Sequence, residues 1–430
     1  MRVVYLAAGA AGMYCGSCLR DNRLAAALLA RGRDVLLLPL YTPLRTDEPD
    51  VSRPEVFYGG LNVYLQQKSP LFRRTPRFLD RWLDWPALLR GVGRLATRRR
   101  ADELGELTIS VLKGRAGAQR KELERLIAAL RGLRPDLVNL PNLMFIGAGR
   151  AVREALGVPV LCTLSGEDLF LDGLPQPQRG QALALIRAAA DGIDGYLAVT
   201  SYYARRCIER FGLPAERVHV VPPGVSILHD PPARDADPGP FTIGFLGRIA
   251  PEKGLAELAE AFAVLRRAGR ACRLRAAGCL PPGERDYLQR VRSRLSEHGV
   301  QGGFEYLGEV DRGKKLEFLH TLDAFSMPSV YPEAKGLPVL EALERGVPVV
   351  QPQHGSFPEL IEATGGGVLY DPREPQGLAA AIAGLMDDLP RRRRLGARGR
   401  AAVRERFSEA VMAEQTWAVY EQYVYARRAN

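Results

Sequence analysis

The chain has 430 residues, 46% hydrophobic and 25% charged. That globular balance excludes a disordered chain or a small stapled scaffold, and at about 150 residues per domain it implies two or three domains. The formal charge is +11, yet residues 68–134 hold 17 Lys and Arg against 7 Asp and Glu, so the basicity is local.

Residues 2–8 are apolar and end at Gly9, as a buried strand does. A Gly/Ala turn follows, then a helical run over 17–30 with Gly32 just past its end. Residues 35–40 make the second strand of a βαβ opening. The uncharged stretch 3–19 carries Gly9, Gly12 and Gly16, which fits a strand and a loop rather than a signal peptide or a spanning helix. A cytosolic protein is expected, since six cysteines in a chain of this length make no disulfide framework.

The basic segment mixes apolar and basic residues at roughly helical spacing, for example Phe78, Leu79, Arg81, Trp82, Trp85 and Arg90. Two readings stand open. It is a membrane-surface or lid helix that helps receive a lipid-linked or anionic acceptor, peripheral to the inner face of the membrane. Or it is an amphipathic helix packed on its own domain. No nucleic-acid-binding module accompanies it, so no nucleic-acid partner is expected.

Apolar runs recur at 136–140, 158–164, 195–199 and 218–221, with helical stretches such as 181–190 and 202–211 between them. A proline- and aspartate-rich linker covers 228–240. A second alternating series follows, with strands at 241–247, 272–277, 304–307, 324–327, 347–351 and 367–370. These patterns predict two doubly wound, Rossmann-like α/β domains, 1–227 and 241–409. A helix over 410–430 is expected to pack back on the first domain. Ligands of such sheets bind beyond the strand C-terminal ends, so a cleft faced by both domains is where chemistry is expected.

In the second domain Gly247-Arg248-Ile249-Ala250-Pro251-Glu252-Lys253-Gly254 follows a strand and opens a helix. A helix N-terminus with two cations five residues apart suits a diphosphate. It is not a Walker A loop. Later, Glu333 falls in a loop and Glu341 about one turn into a helix that Pro338 starts. Backbone N–H groups at 335–337 lie between these carboxylates. One carboxylate could hold sugar hydroxyls and the other a ribose.

Glu333 and Glu341 form an E-x7-E pattern. With the upstream G-R-x-x-x-E-K-G it resembles the retaining GT-B glycosyltransferases of family 4, the group 1 glycosyltransferases. Pro222-Pro223-Gly224-Val225, the run 341–350 (E-A-x-x-x-G-x-P-V-V) and His354-Gly355 with Pro358-Glu359 extend the likeness. It covers the C-terminal domain well and the N-terminal domain more loosely. The resemblance implies a GT-B architecture and transfer of a sugar from a nucleotide-diphosphate sugar with retention, through an oxocarbenium-like transition state. Arg248 and Lys253 would neutralise the diphosphate, assisted by amides near Gly336 and Leu337. Glu341 would hold the ribose and Glu333 the donor sugar. No metal and no cofactor beyond the donor is implied. The acceptor, a carbohydrate, a lipid-linked species or a small molecule, is left open.

The first domain departs from the family at one position. Ser165 stands where relatives carry a histidine that backs the donor sugar, and serine cannot carry positive charge. Glu167 and Asp168 either supply the missing polar contact or cap the next helix. Gly12 and Gly16 lie in the first turn, where this fold lets a phosphate approach the backbone. His354 lies in the family's donor loop. Cys15 and Cys18 admit a zinc, a redox, a papain-type or a merely space-filling reading. Zinc needs two more ligands, and a redox pair needs a thioredoxin-like unit. The alternatives to transfer are a related GT-B sugar isomerase or phosphorylase, and a non-catalytic sugar-nucleotide-binding protein. Only Ser165 favours the last.

Overall fold

The computed structural model describes residues 1–9, 15–58, 63, 65–67, 101–229 and 239–429. Gly12, the basic run from Phe78 to Arg90 and most of the linker lie outside the described residues. The chain divides into two compact units: Met1–Gly224 with Met412–Asn430, and Val225–Val411.

Among the described residues the first unit holds a parallel sheet in the order β2-β1-β3-β4-β5-β6. Its strands are β1 (Arg2–Ala7), β2 (Asp34–Pro39), β3 (Leu137–Leu140), β4 (Val160–Leu164), β5 (Gly195–Ala198) and β6 (Val218–Val220). β1, β3, β4 and β5 are mostly apolar, with Asn139 in β3 and Thr163 in β4, because both faces of a parallel sheet are covered. Val3, Leu137, Leu161 and Leu197 pack with Leu24 and Leu28 of the helix Gly16–Ala30. Met412, Trp417, Tyr420 and Val424 of the terminal helix Glu409–Ala429 close the same core. Trp417 and Tyr420 of that helix are thus buried against the first unit's sheet, where each fully buried large side chain contributes about 2–3 kcal/mol.

The second unit orders its strands β12-β11-β10-β7-β8-β9. They are β7 (Phe241–Leu246), β8 (Cys272–Ala277), β9 (Phe304–Tyr306), β10 (Ala324–Phe325), β11 (Val349–Pro352) and β12 (Gly367–Tyr370). Chain order thus runs outward from β7 to one edge, then returns to β10 and runs to the other. This is the doubly wound order with its reversal between β7 and β10. The loops leaving these two strands flank the crevice where such sheets bind ligands.

Two expected strands begin later than their apolar runs. β4 starts at Val160, after Pro159, and β11 at Val349, after Pro348. Proline has no N–H for the ladder, so pairing opens on the residue after it. The carbonyls of both prolines still accept, from Val138 and Phe325.

Candidate functional site

The loop after β7 carries Arg248 and turns through the short 3-10 segment Pro251–Lys253. Gly254 follows at φ +82°, and a Cβ there would stand 1.9 Å from the Pro328 carbonyl oxygen. Only glycine allows this approach of the β7 loop to the β10 loop. The Val330 amide fastens the two, donating to the Glu252 carbonyl at 3.1 Å.

That contact sets Lys253 against the β10 loop. Its Nζ donates to Glu333 Oε2 at 2.6 Å and to the Tyr331 hydroxyl at 3.1 Å. Tyr331 in turn donates to Glu333 Oε2 at 3.0 Å, and the ammonium lies 4.9 Å from the Tyr331 ring centroid. Glu333 is 4% exposed. Burial alone would raise its pKa, but Lys253, then Lys335 and Tyr331, outweigh it and hold the carboxyl down at about 2. Glu333 is therefore ionised across the physiological range, an acceptor only. Its backbone is pinned as well: its carbonyl accepts from Ser356 N at 2.8 Å. A Cβ on Gly355 would stand 2.6 Å from the Glu333 nitrogen, so this loop also needs glycine.

Gly336 caps the helix Leu337–Glu344, Pro338 sits in its first turn, and the capping glycine has no side chain to accept from the opening amides. Of the expected amides, Lys335 N reaches Glu333 Oε1 at 3.4 Å. Glu341 receives Lys315 Nζ at 3.0 Å, both side chains about nine-tenths buried. Arg248 is ion-paired with Glu252 and remains partly exposed. The structure thus brings Lys253, Glu333, Gly336, Leu337 and Glu341 onto two neighbouring loops and one helix start, with Arg248 on the first of those loops.

Sequence reasoning missed Tyr331 and Lys315. It also missed a set of buried polar atoms with no partner: Ser329 Oγ, both amide atoms of Gln351, and Ser356 Oγ. His354 Nδ1 is unpartnered too, and burial lowers its pKa against an opposing bond to the Ser329 backbone. Unsatisfied buried groups of this kind are uncommon and mark capacity for water or ligand. Gln351 lies within the otherwise apolar strand β11, and nothing local flags it.

In the first unit Ser165 is 6% exposed and its Oγ lies 3.4 Å from Ser17 Oγ. Glu167 does not cap the next helix. Its Oε2 accepts from the amides of Ser165 and Gly166, each at 3.0 Å, and from the Tyr203 hydroxyl at 2.8 Å. It holds the loop from inside, and the first amide of the helix Asp168–Asp172 donates instead to the Tyr203 hydroxyl at 3.4 Å. Asp168 pairs with Arg206 Nε at 2.5 Å. Gly16 is the first residue of the helix Gly16–Ala30. Among the described residues no group of three or more potential metal ligands occurs, so Cys15 and Cys18 do not complete a zinc site there. Of the other histidines, His219 Nε2 meets the Tyr423 hydroxyl at 2.9 Å and His298 Nε2 meets Glu260 Oε2 at 3.3 Å.

Residues 229–402 match the family of group 1 glycosyl transferases, and residues 96–227 match glycosyltransferase family 4. The chain belongs to these glycosyltransferases. A GDP-mannose-dependent alpha-(1-6)-phosphatidylinositol monomannoside mannosyltransferase of Mycobacterium tuberculosis is 30% identical over 257 residues, 56% of this chain and 64% of that protein. The aligned stretch is thus just under two thirds of that relative. Sucrose-phosphate synthase from Thermosynechococcus elongatus superposes with a TM-score of 0.73 over 99% of this chain and 100% of its own, at 19% identity. HepE from Anabaena, solved with UDP-glucose, superposes at 0.67 over 98% and 100%, at 18% identity. The fold is that of the GT-B glycosyltransferases.

Proposed function

We propose that the chain is a retaining glycosyltransferase. It moves a sugar from a nucleotide-diphosphate sugar to a carbohydrate, lipid-linked or small-molecule acceptor, and offsets the leaving charge with its own cations rather than a metal. The observation that carries this reading is the meeting of Lys253 and Glu333 beside a glycine-capped helix start at the reversal of the second sheet.

As the glycosidic bond breaks, negative charge grows on the departing diphosphate and positive charge on the sugar ring. Lys253, Arg248 and the amides at Gly336 and Leu337 answer the first. Such preset charge stabilises the transition state more than the ground state. Ionised Glu333 accepts from donor-sugar hydroxyls, and Glu341, steadied by Lys315, accepts from the ribose. The donors named for the mycobacterial relative and for HepE support a nucleotide sugar. The same reading carries a cytosolic location, with the basic segment as the contact to a membrane face. Among the described residues no helix is long and apolar enough to cross a membrane.

One feature, Ser165 in place of the family's histidine, favours a binding-only protein. The two separate in two steps. Thermal shifts with UDP, GDP, ADP and their sugar conjugates, with and without magnesium, name the base. Turnover of the selected donor by wild type but not by Glu333→Ala establishes the enzyme. Binding without turnover in wild type leaves a sugar-nucleotide-binding protein.

A further inference from the structure

The C-G-S-C tetrad is absorbed by none of the roles above. Cys15 is the N-cap residue of the helix Gly16–Ala30, with extended backbone at φ −125° and ψ 127°. Cys18 lies one turn on, so the two side chains share a helix face. Their thiols are hydrogen-bonded to each other and no disulfide joins them. Exposure divides them: Cys15 is partly open to solvent, and Cys18 is 2% exposed.

We propose that Cys15 and Cys18 form a reversible dithiol–disulfide site, Cys15 being the attacking sulfur and Cys18 the resolving one. The thioredoxin-like unit that the sequence lacks is not required, because the local geometry is present: an accessible thiol at a helix N-terminus, with a buried thiol three residues on. The helix end favours the Cys15 thiolate. Cys18 is held as the thiol, first by its hydrogen bond to Cys15, then by burial, then by the charge of Cys15 and of Asp21. The order of events follows from those causes. The Cys15 thiolate attacks one sulfur of a small disulfide such as oxidised glutathione, and one glutathione thiolate leaves and takes up a proton. Cys15 is then uncharged, so two of the causes that hold the proton on Cys18 are gone. The Cys18 thiol gives up that proton and its sulfur attacks Cys15, closing the intrachain disulfide and expelling the second glutathione as a thiol. Two protein thiols are oxidised and one external disulfide is reduced. Ser17, between the two cysteines, faces Ser165, so the disulfide forms beside the loop that carries Ser165.

The test uses the full chain in buffers of graded reduced to oxidised glutathione, quenched with acid, alkylated and mapped by mass spectrometry. The expected result is complete loss of alkylation at both Cys15 and Cys18 on the oxidised side, with the mass of one disulfide and no bound glutathione. Dithiothreitol restores both, and buried Cys162 and Cys272 stay unchanged throughout. Cys18→Ser traps one glutathione on Cys15. A wild-type chain that keeps both thiols in the oxidised buffer, or that accumulates glutathione on Cys15 while Cys18 remains a thiol, overturns the proposal. Neither readout depends on transferase activity, so failure here is distinct from failure of the proposed function.

Discussion

Lys253 Nζ and Glu333 Oε2 stand 2.6 Å apart, although 80 residues separate them in the chain. The cation assigned to the diphosphate and the carboxylate assigned to the sugar are therefore one pair before any donor arrives. Lys253 keeps Glu333 ionised in a buried place, and in the proposed function it also offers charge to the phosphate. Replacing it removes both. Lys253→Ala is expected to lower turnover by well over about tenfold. Stranding the buried carboxylate should also cost about 3–5 kcal/mol of stability. Steady-state kinetics beside urea unfolding separates the two effects. A folded variant with unchanged turnover removes Lys253 from the phosphate site.

The depressed pKa of Glu333 has a sign that can be measured. Its value is about 2 in the folded chain against an ordinary 4.5. A lowered carboxylate pKa contributes stability that is fully present above the unfolded value and lost as pH falls through the folded one. The contribution is of order 3 kcal/mol. The stability difference between wild type and Glu333→Gln should stay flat above about pH 5 and shrink as pH falls from about 4.5 toward about 2. A difference that does not change across that window means that Glu333 is not held by Lys253 in solution.

Asp21 behaves oppositely. It is 3% exposed and accepts from the Tyr5 hydroxyl at 2.8 Å and Arg20 Nη1 at 3.1 Å. Burial nevertheless wins over both partners and pushes its pKa up from 3.8 to about 6. A raised carboxylate pKa contributes stability that is present below the unfolded value and lost as pH rises through the folded one. Wild type should therefore lose up to about 3 kcal/mol relative to Asp21→Asn between about pH 4 and pH 7. Unfolding midpoints of the two proteins at several pH values test this, and a gap constant over that range refutes it.

The strands were legible because parallel strands covered on both faces are mostly apolar. Every expected run from 136–140 to 367–370 contains an observed strand; Pro159 and Pro348 delay two of them, and β10 covers only Ala324–Phe325 of its run. The site was legible as a list of residue types, Arg248, Lys253, Glu333 and Glu341, because their spacing is a family pattern. Its partners were not. Lys315 reaches Glu341 from another helix, and Tyr331 matters only because Gly254 lets two loops touch. Contacts of this kind depend on tertiary approach, which spacing does not encode. Glu167 was misjudged for a related reason. A carboxylate before a helix suggests a cap, but this one is turned inward onto amides of its own loop and the hydroxyl of Tyr203.

Ser165 has little room around it. It is buried, with Ser17 Oγ at 3.4 Å and its own amide held by Glu167. An imidazole there must displace Ser17 and strain the loop, an overpacking that typically costs about 1–3 kcal/mol. Ser165→His is therefore expected to lose turnover and stability together, while Ser165→Ala loses less of both. That outcome would mark a site rebuilt around serine. A histidine variant that gains turnover would instead mark serine as a loss from a site that still accepts the family's residue.

Gly254 makes the approach of the two loops testable without touching a charged group. Gly269 has a similar φ, +75°, but nothing lies within 4 Å of a Cβ placed there. Gly269→Ala should cost only the backbone term, about 1 kcal/mol. Gly254→Ala carries the same term and adds a collision with the Pro328 carbonyl, so the β7 loop must retreat and take Lys253 with it. Its loss of stability should be several-fold larger, and turnover should fall although every charged residue is intact. Equal losses in the two variants would mean that the loops part easily, and that Lys253 does not depend on Gly254 for its place beside Glu333.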